Sequence, residues 1–456
     1  MRDFHHPGQV LRIGCGAGFS GDRTDAAAPV VQDLIQGLQT WGGSAVLIFE
    51  TLAERTLALA QLARLSNPQA GYEPLLCDYL RPVLADCLQH GIRIVSNFGA
   101  AHPQAAAAAI VALAEQLQLR VPRIAVVLGD DVRQHPAVIQ LALPHDVVSA
   151  NAYLGAKSIA QALNQGAEIV VCGRVADPAL TLGPAWAHHG WADDNWDALA
   201  GATMAGHLLE CGAQVTGGYY ADPGYKDVPD LAHAGFPIAR IEADGRCTLS
   251  KPAGTGGCID EHTVKEQLLY EIDNPAAYIT PDVVADISAA QVTRLSPDVV
   301  QLSGVKGHPR PAQLKVNVFH EQGWFAEAEI SYAGPRAEAR ARLAAQIVQT
   351  RLPQLNLRVD WIGVCSVWAD DAGRALASLP DRGHTDVRLR LATSHTDKGQ
   401  AELLLREVNA LYTCGPAGGG GVRTALRPRL GLVSCLVPQI SVYSQVQMWP
   451  TDRSPA

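Results

Sequence analysis

A chain of 456 residues, 48% of them hydrophobic and 18% charged, is long enough to form two or three domains with a large core. Its formal charge of −9 argues against a nucleic-acid-binding protein, whose surface would be basic. No run of about twenty apolar residues predicts a membrane span; ten cysteines without a CxxC pair predict reduced, mostly buried thiols in a cytoplasmic protein.

From residue 10 to residue 190 one pattern recurs: a short β-branched run, a glycine or polar turn, then a segment of helical period. Strands are predicted at Val10–Ile13, Ala45–Phe49, Ile92–Ser96, Arg123–Leu128 and Ala167–Cys172. Helices are predicted at Ala26–Leu38, Leu52–Leu65, Leu75–His90, Pro103–Leu119 and Gly155–Asn164. This alternation predicts an α/β fold: a domain over residues 1–210 with a doubly wound, largely parallel sheet, a βα barrel being the alternative. A helix is expected over Trp196–Glu210. Residues 211–456 are predicted to form a C-terminal α+β region, with a hairpin turning at Ala243–Gly245, helices over Thr263–Glu271 and residues 335–351, and two further glycine-rich loops.

Parallel sheets collect ligands at the carboxyl ends of their strands. The first predicted strand runs into GCGAGFSGDR, where Gly16, Gly18, Ser20 and Gly21 allow backbone N–H groups to approach a carboxylate, phosphate or thioester. The loop formally matches G-x-G-x-x-G, so dinucleotide binding is a competing reading. Against it, Asp22-Arg23-Thr24-Asp25 puts charges where that fingerprint needs close helix–strand packing, and Glu50 lies beyond the usual spacing of ~20 residues. The other strand ends carry Glu50, Asn97, Asp130 and the pair Arg174 and Asp177.

Arg23 and Arg174 suit bidentate grip of a carboxylate, and Asp22 can orient it or take a proton. Asp177 precedes Pro178 and equally suits a helix N-cap. Asn151 and Tyr153 flank a predicted helix start, where either could polarise a carbonyl and Asn151 could equally be an N-cap. Glu210 ends a helix, where its charge opposes the dipole, which points to an acid or base role. Lys251 with Gly254, Thr255, Gly256 and Gly257 forms a second candidate anion site; the lysine precedes the glycines, so no Walker A order exists. No zinc-ligand spacing occurs, and Asp22, Glu50 and Asp130 are an alternative set for a divalent ion. Cys172 sits in an apolar run and reads as core.

Six ordered segments carry a likeness: IGCGAGFSGDR, NAYLGAKSIAQAL, VVCGRVADPALTLGPA, GHLLECGAQVTGG, GTGGCIDEHTVKEQLLYEI and EVNALYTCGPAGGGG. Through them the chain resembles the acyclic terpene utilisation protein family from about residue 10 to residue 430. It departs at Thr413-Cys414-Gly415-Pro416, where members often have Asn-Gly-Pro. The family takes its name from bacterial clusters degrading citronellol- and geraniol-type compounds, beside enzymes of acyl-CoA intermediates. With carboxylates and arginines at the strand ends, three glycine loops and no recognisable nucleophile or redox motif, the expectation is a catabolic enzyme acting on a carboxylic acid or its CoA thioester. Lyase or hydro-lyase chemistry is expected, with no cofactor beyond the CoA moiety of a substrate. A homo-oligomer is expected on general grounds; some members carry an extra ferredoxin-like domain downstream, which leaves open whether a separate small polypeptide supplies that part here. The alternatives are a non-catalytic subunit of an acyl-CoA-processing complex and a nicotinamide-dependent oxidoreductase.

Overall fold

The protein is seen in a computed structural model, which describes residues 4–5, 9–143 and 146–449. The strands are β1 (Leu11–Ala17), β2 (Ser44–Phe49), β3 (Arg93–Ser96), β4 (Ile124–Leu128), β5 (Val147–Ala152), β6 (Ile169–Cys172), β7 (Ile238–Ile241), β8 (Cys247–Ser250), β9 (Tyr278–Ile279), β10 (Val284–Asp286), β11 (Gln291–Ser296), β12 (Val299–Ser303), β13 (Lys306–His308), β14 (Gln313–Ala333), β15 (Arg358–Ile362), β16 (Asp386–His395), β17 (Gly420–Pro438) and β18 (Gln445–Trp449).

Two compact units divide the chain. The first comprises the described residues of Met1–Ala142, Val148–Val318 and Ser434–Ala456, and the second Leu143–Val147 and Phe319–Val433. The first unit is built on a mixed ten-stranded sheet of order β11-β12-β8-β7-β1-β2-β3-β6-β4-β18. Its centre is parallel: β1 pairs with β2, β2 with β3, β3 with β6 and β6 with β4. These strands read SAVLIF, RIVS, IAVVL and IVVC and are almost wholly buried, as strands covered on both faces must be. The β7–β8 hairpin continues the sheet antiparallel on one side, and β18 does so on the other. The sheet is therefore open, and among the described residues no closed barrel forms. A small antiparallel sheet, β13-β10-β9, completes the unit.

Three local differences from expectation have simple causes. β1 runs past Ile13 to Ala17 because Gly14 and Gly16 are interior strand positions. A Cβ on Gly14 would lie 2.3 Å from Val30, and one on Gly16 2.5 Å from the Phe49 ring. The helix expected over Leu75–His90 is two helices, Leu76–Leu80 and Leu84–His90, since Pro82 cannot supply the N–H that an unbroken helix needs. Val147–Ala152, VVSANA, was not expected as a strand; it pairs with β14 instead of the main sheet.

The second unit has an antiparallel sheet of order β15-β16-β14-β17. Helices Ala337–Arg351 and Lys398–Cys414 bury Ala341, Ala345, Leu404 and Val408 in a core with Ile330, Tyr332 and Leu389. Both helices present apolar residues at spacings of three and four, which places them on one face.

Candidate functional site

Because β2, β3 and β6 are neighbours in one parallel sheet, the residues that follow them emerge side by side. Glu50 leaves β2 buried. Its Oε1 accepts the Leu52 N–H at 2.9 Å and Asn97 Nδ2 at 2.7 Å, while Asn97 Oδ1 accepts the Thr51 N–H at 2.8 Å. Asn97 thus fixes Glu50 from the adjacent strand end.

Arg174, two residues beyond β6, is 2% exposed. Its Nη2 donates to Asp177 Oδ1 and its Nη1 to the Leu52 carbonyl. The guanidinium lies 4.2 Å from the Tyr153 ring centroid, and its Nε is buried without a partner. Below it, Asp130 accepts the Arg174 N–H at 3.0 Å and Asn151 Nδ2 at 2.8 Å, which fixes the turn into Arg174. Tyr153 donates its hydroxyl to Glu54 and accepts Asn317 Nδ2 at 3.0 Å. Neither Asn151 nor Asp177 caps a helix: the helices that follow begin at Lys157 and Ala179 without side-chain caps.

Glu210 closes the helix Trp196–Glu210, with Oε1 2.9 Å from His207 Nδ1 and Oε2 buried without a partner. Burial pushes this carboxyl well above the carboxylate range; the negative fields of Asp177 and Glu271 add to the effect and Arg174 opposes it. Burial likewise drives His207 down to about 4, so its imidazole is neutral. Glu50 is pushed up to about 8 by burial and then by Asp177, with Arg174 opposing. Asp177 is also raised, by its partial burial, against the pull of Arg174. Asp130 is raised to about 6 by burial. One buried guanidinium thus shares its field among Asp177, Glu50 and Glu210, and burial biases all three carboxyls toward their protonated forms.

The first glycine loop is differently engaged. Asp22 accepts the Gly18 N–H and the Arg23 N–H, both at 2.8 Å, so the loop's own carboxylate occupies amides that sequence reasoning reserves for a ligand. Arg23 pairs with Asp25 at 2.9 Å and reaches the Ala232 carbonyl at 3.2 Å. The Gly21 N–H donates to the Tyr79 hydroxyl at 3.2 Å, and Gly16 lies inside β1. Gly18 abuts the end of the Glu210 helix: a Cβ there would lie 2.4 Å from the Cys211 carbonyl carbon. Ser20 borders an apolar recess beside Glu73.

The second loop is self-satisfied. Lys251 Nζ donates to the Thr255 carbonyl at 2.8 Å and pairs with Asp298 at 3.3 Å. The Gly256 and Gly257 N–H groups donate to the carbonyls of His233 and Pro229, and Thr255 Oγ1 to that of Pro252. Gly254 adopts a positive φ in open space, as a turn residue. Among the described residues, no three His, Cys, Asp or Glu side chains gather as they would around a metal ion, so Asp22, Glu50 and Asp130 form no such set. No helix there is long and apolar enough to cross a membrane. Cys172 is fully buried, and burial raises its thiol.

A cleft of about 220 Å³ opens onto the cluster, lined by Tyr153, Asp177, Tyr278 and Lys315. A larger cavity, about 800 Å³, lies at the opposite, amino ends of the strands. Its Arg120 is held by Glu168 and its Arg93 donates to the Ala167 carbonyl, so the cluster at the carboxyl ends is the better candidate. Sequence reasoning missed Glu54, His207, Tyr278 and Asn317. Only His207 had a local signal, three residues before Glu210 on one helix face.

Sheet and cluster together define a mixed α/β protein with a buried arginine–carboxyl centre at the carboxyl ends of its parallel strands. Residues 11–448 match the family model described as acyclic terpene utilisation family protein AtuA, and the chain belongs to that family. It is thus a terpene utilisation-related protein, in agreement with the resemblance carried by its six segments. Comparison with curated proteins found no match.

Proposed function

We propose that this chain is a catabolic enzyme that moves a proton next to the carbonyl of a carboxylic acid or its CoA thioester, in lyase or hydro-lyase chemistry. The observation that carries the reading is Arg174, buried and paired with Asp177 at the mouth of the cleft, within the electrostatic reach of Glu50, whose carboxyl, like that of Asp177, is raised. Asp177 lines the cleft with its side chain 38% exposed, so an entering carboxylate can replace it on Arg174 as Asp177 takes up a proton. The guanidinium then holds the carboxylate, or the thioester oxygen on which enolate charge develops as the adjacent C–H proton leaves. Glu50, near 8, suits exchange of that proton around neutral pH, and protonated Glu210 can supply one to a departing hydroxide, released as water. Asp22 and Arg23 shape the loop beside Glu210; Asn97, Asn151 and Tyr153 position the acidic groups and the guanidinium.

The test is deuterium incorporation from D₂O into short carboxylic acids and their CoA thioesters, followed by mass spectrometry. Uptake at the carbon next to the carbonyl, lost in Glu50→Gln and Arg174→Met, is expected. Absence of exchange and of water addition or loss across the panel, or exchange untouched by both substitutions, overturns the reading.

A further inference from the structure

Two cations share one aromatic ring at the cleft. The Arg174 guanidinium carbon lies 4.2 Å from the Tyr153 ring centroid and the Lys315 ammonium nitrogen 5.0 Å from it, so the two charges stand no more than about 9 Å apart. The backbone ties their positions together. The Tyr153 N–H donates to the Lys315 carbonyl at 3.0 Å, and Asn317, two residues further on, donates to the Tyr153 hydroxyl at 3.0 Å. Tyr153 and Lys315 both line the cleft, and about half of the lysine side chain is open to solvent.

Lys315 is incompletely satisfied. Its carboxylate partner Glu54 is 3.6 Å away, beyond hydrogen-bond length, and already accepts the Tyr153 hydroxyl. An ion pair this exposed contributes little. Glu54 takes no part in the cleft wall, whose charged side chains are Asp177 and Lys315. Once a guest carboxylate replaces Asp177 on Arg174 and Asp177 takes up a proton, the charge left on the wall is that of Lys315. A second anionic group on the guest would balance it. Between the two, Pro178, Ile279, Pro281, Leu314 and Leu436 offer apolar surface to a hydrocarbon linker. The linker must be short. Two charge-assisted contacts of about 2.8 Å each take up more than half of the distance between the cations. The cleft volume of about 220 Å³ also falls below the roughly 300–1,000 Å³ of sites for drug-sized ligands.

We propose that the cleft receives a short dicarboxylate, one carboxylate held by Arg174 and the other by Lys315, and that Lys315 selects diacids over monoacids. This rests on the carboxylate reading above and adds a second anionic group to it.

Calorimetric titration at neutral pH with malonic, succinic, glutaric and adipic acids, beside the monocarboxylic acids of equal carbon number, separates the two ideas. At least one diacid is expected to bind about tenfold more tightly than its monoacid counterpart, the contribution of one hydrogen bond to a charged group. In Lys315→Met that preference should fall below about threefold, the range of an exposed ion pair, and Lys315→Arg should restore most of it. Lys315→Gln provides the same test should Lys315→Met fail to fold. Diacids that bind no tighter than monoacids, or a preference untouched by Lys315→Met, overturn the role of Lys315 and leave the carboxylate reading standing. A preference that Lys315→Met removes, in a chain whose Arg174→Met variant binds every acid as before, keeps Lys315 as an anion receptor and overturns the bridge to Arg174. No binding in either series overturns both ideas.

Discussion

Asp177 and Arg174 are paired three residues apart at the end of one strand, the arginine almost completely buried and the aspartate at the mouth of a cleft. A charge taken out of water is retained only with good partners. Here the partners are one carboxylate, one carbonyl and one aromatic face, with Nε left over. The arrangement holds the guanidinium in place while keeping its most accessible partner exchangeable.

The first consequence concerns stability. Arg174→Met removes the positive partner of buried acidic groups and should destabilise the chain by about 3 kcal/mol, the lower end of the range for breaking a buried pair, because water reaches Asp177. Urea unfolding would show a lower midpoint at unchanged slope. Adding Asp177→Asn should recover part of the loss, since the uncompensated carboxylate is then gone.

The second concerns pH. Glu50 titrates at about 8 in the folded chain against 4.5 when free, so the folded state binds its proton more tightly. The associated stability is fully present below pH 4.5 and is lost progressively as pH rises through 8. Glu50→Gln should flatten this fall. Urea midpoints taken from pH 5 to pH 9 would expose the difference, and parallel curves for the two proteins would contradict the burial assigned to Glu50.

The strand ends were legible because β-branched runs and turn residues alternate plainly from residue 10 to residue 190. That ordering was enough to place Glu50, Asn97 and Arg174 as neighbours. Less legible was what each group does once there. Asp22 follows a glycine loop, and the sequence cannot distinguish a loop that receives a foreign anion from one that closes on its own aspartate. Gly16 resembles a loop glycine but serves a strand crowded by Phe49. Glu54 and Asn317 converge on Tyr153 from segments 99 and 164 residues away in sequence, a contact that no local pattern encodes.

A third expectation follows from that self-closing loop. Asp22→Ala leaves the Gly18 and Arg23 N–H groups to water at a half-buried site, which should cost about 1–2 kcal/mol, less than two charge-assisted bonds in a dry interior. Thermal unfolding should shift down by about 1–3 °C. Asp22→Asn, which keeps an acceptor oxygen, should recover roughly half of that.

The fourth distinguishes packing against Glu210 from backbone strain alone. Gly18 touches the end of the Glu210 helix, where an added Cβ would meet the Cys211 carbonyl carbon and the Gly212 nitrogen at 2.4 Å. Both are main-chain atoms, so no side chain can swing aside, and Gly18→Ala must push the helix end and Glu210 with it. Overpacking of this kind costs about 1–3 kcal/mol. Gly21 is the control: at φ 102° an alanine there is strained, yet its new Cβ would meet only the Phe19 side chain, at 3.4 Å. Both substitutions should lower the melting temperature. Deuterium exchange into the carboxylate panel should collapse in Gly18→Ala and survive in Gly21→Ala. Equal loss in the two would mean that the loop acts through its own order, and that the position of Glu210 does not limit the proton transfer.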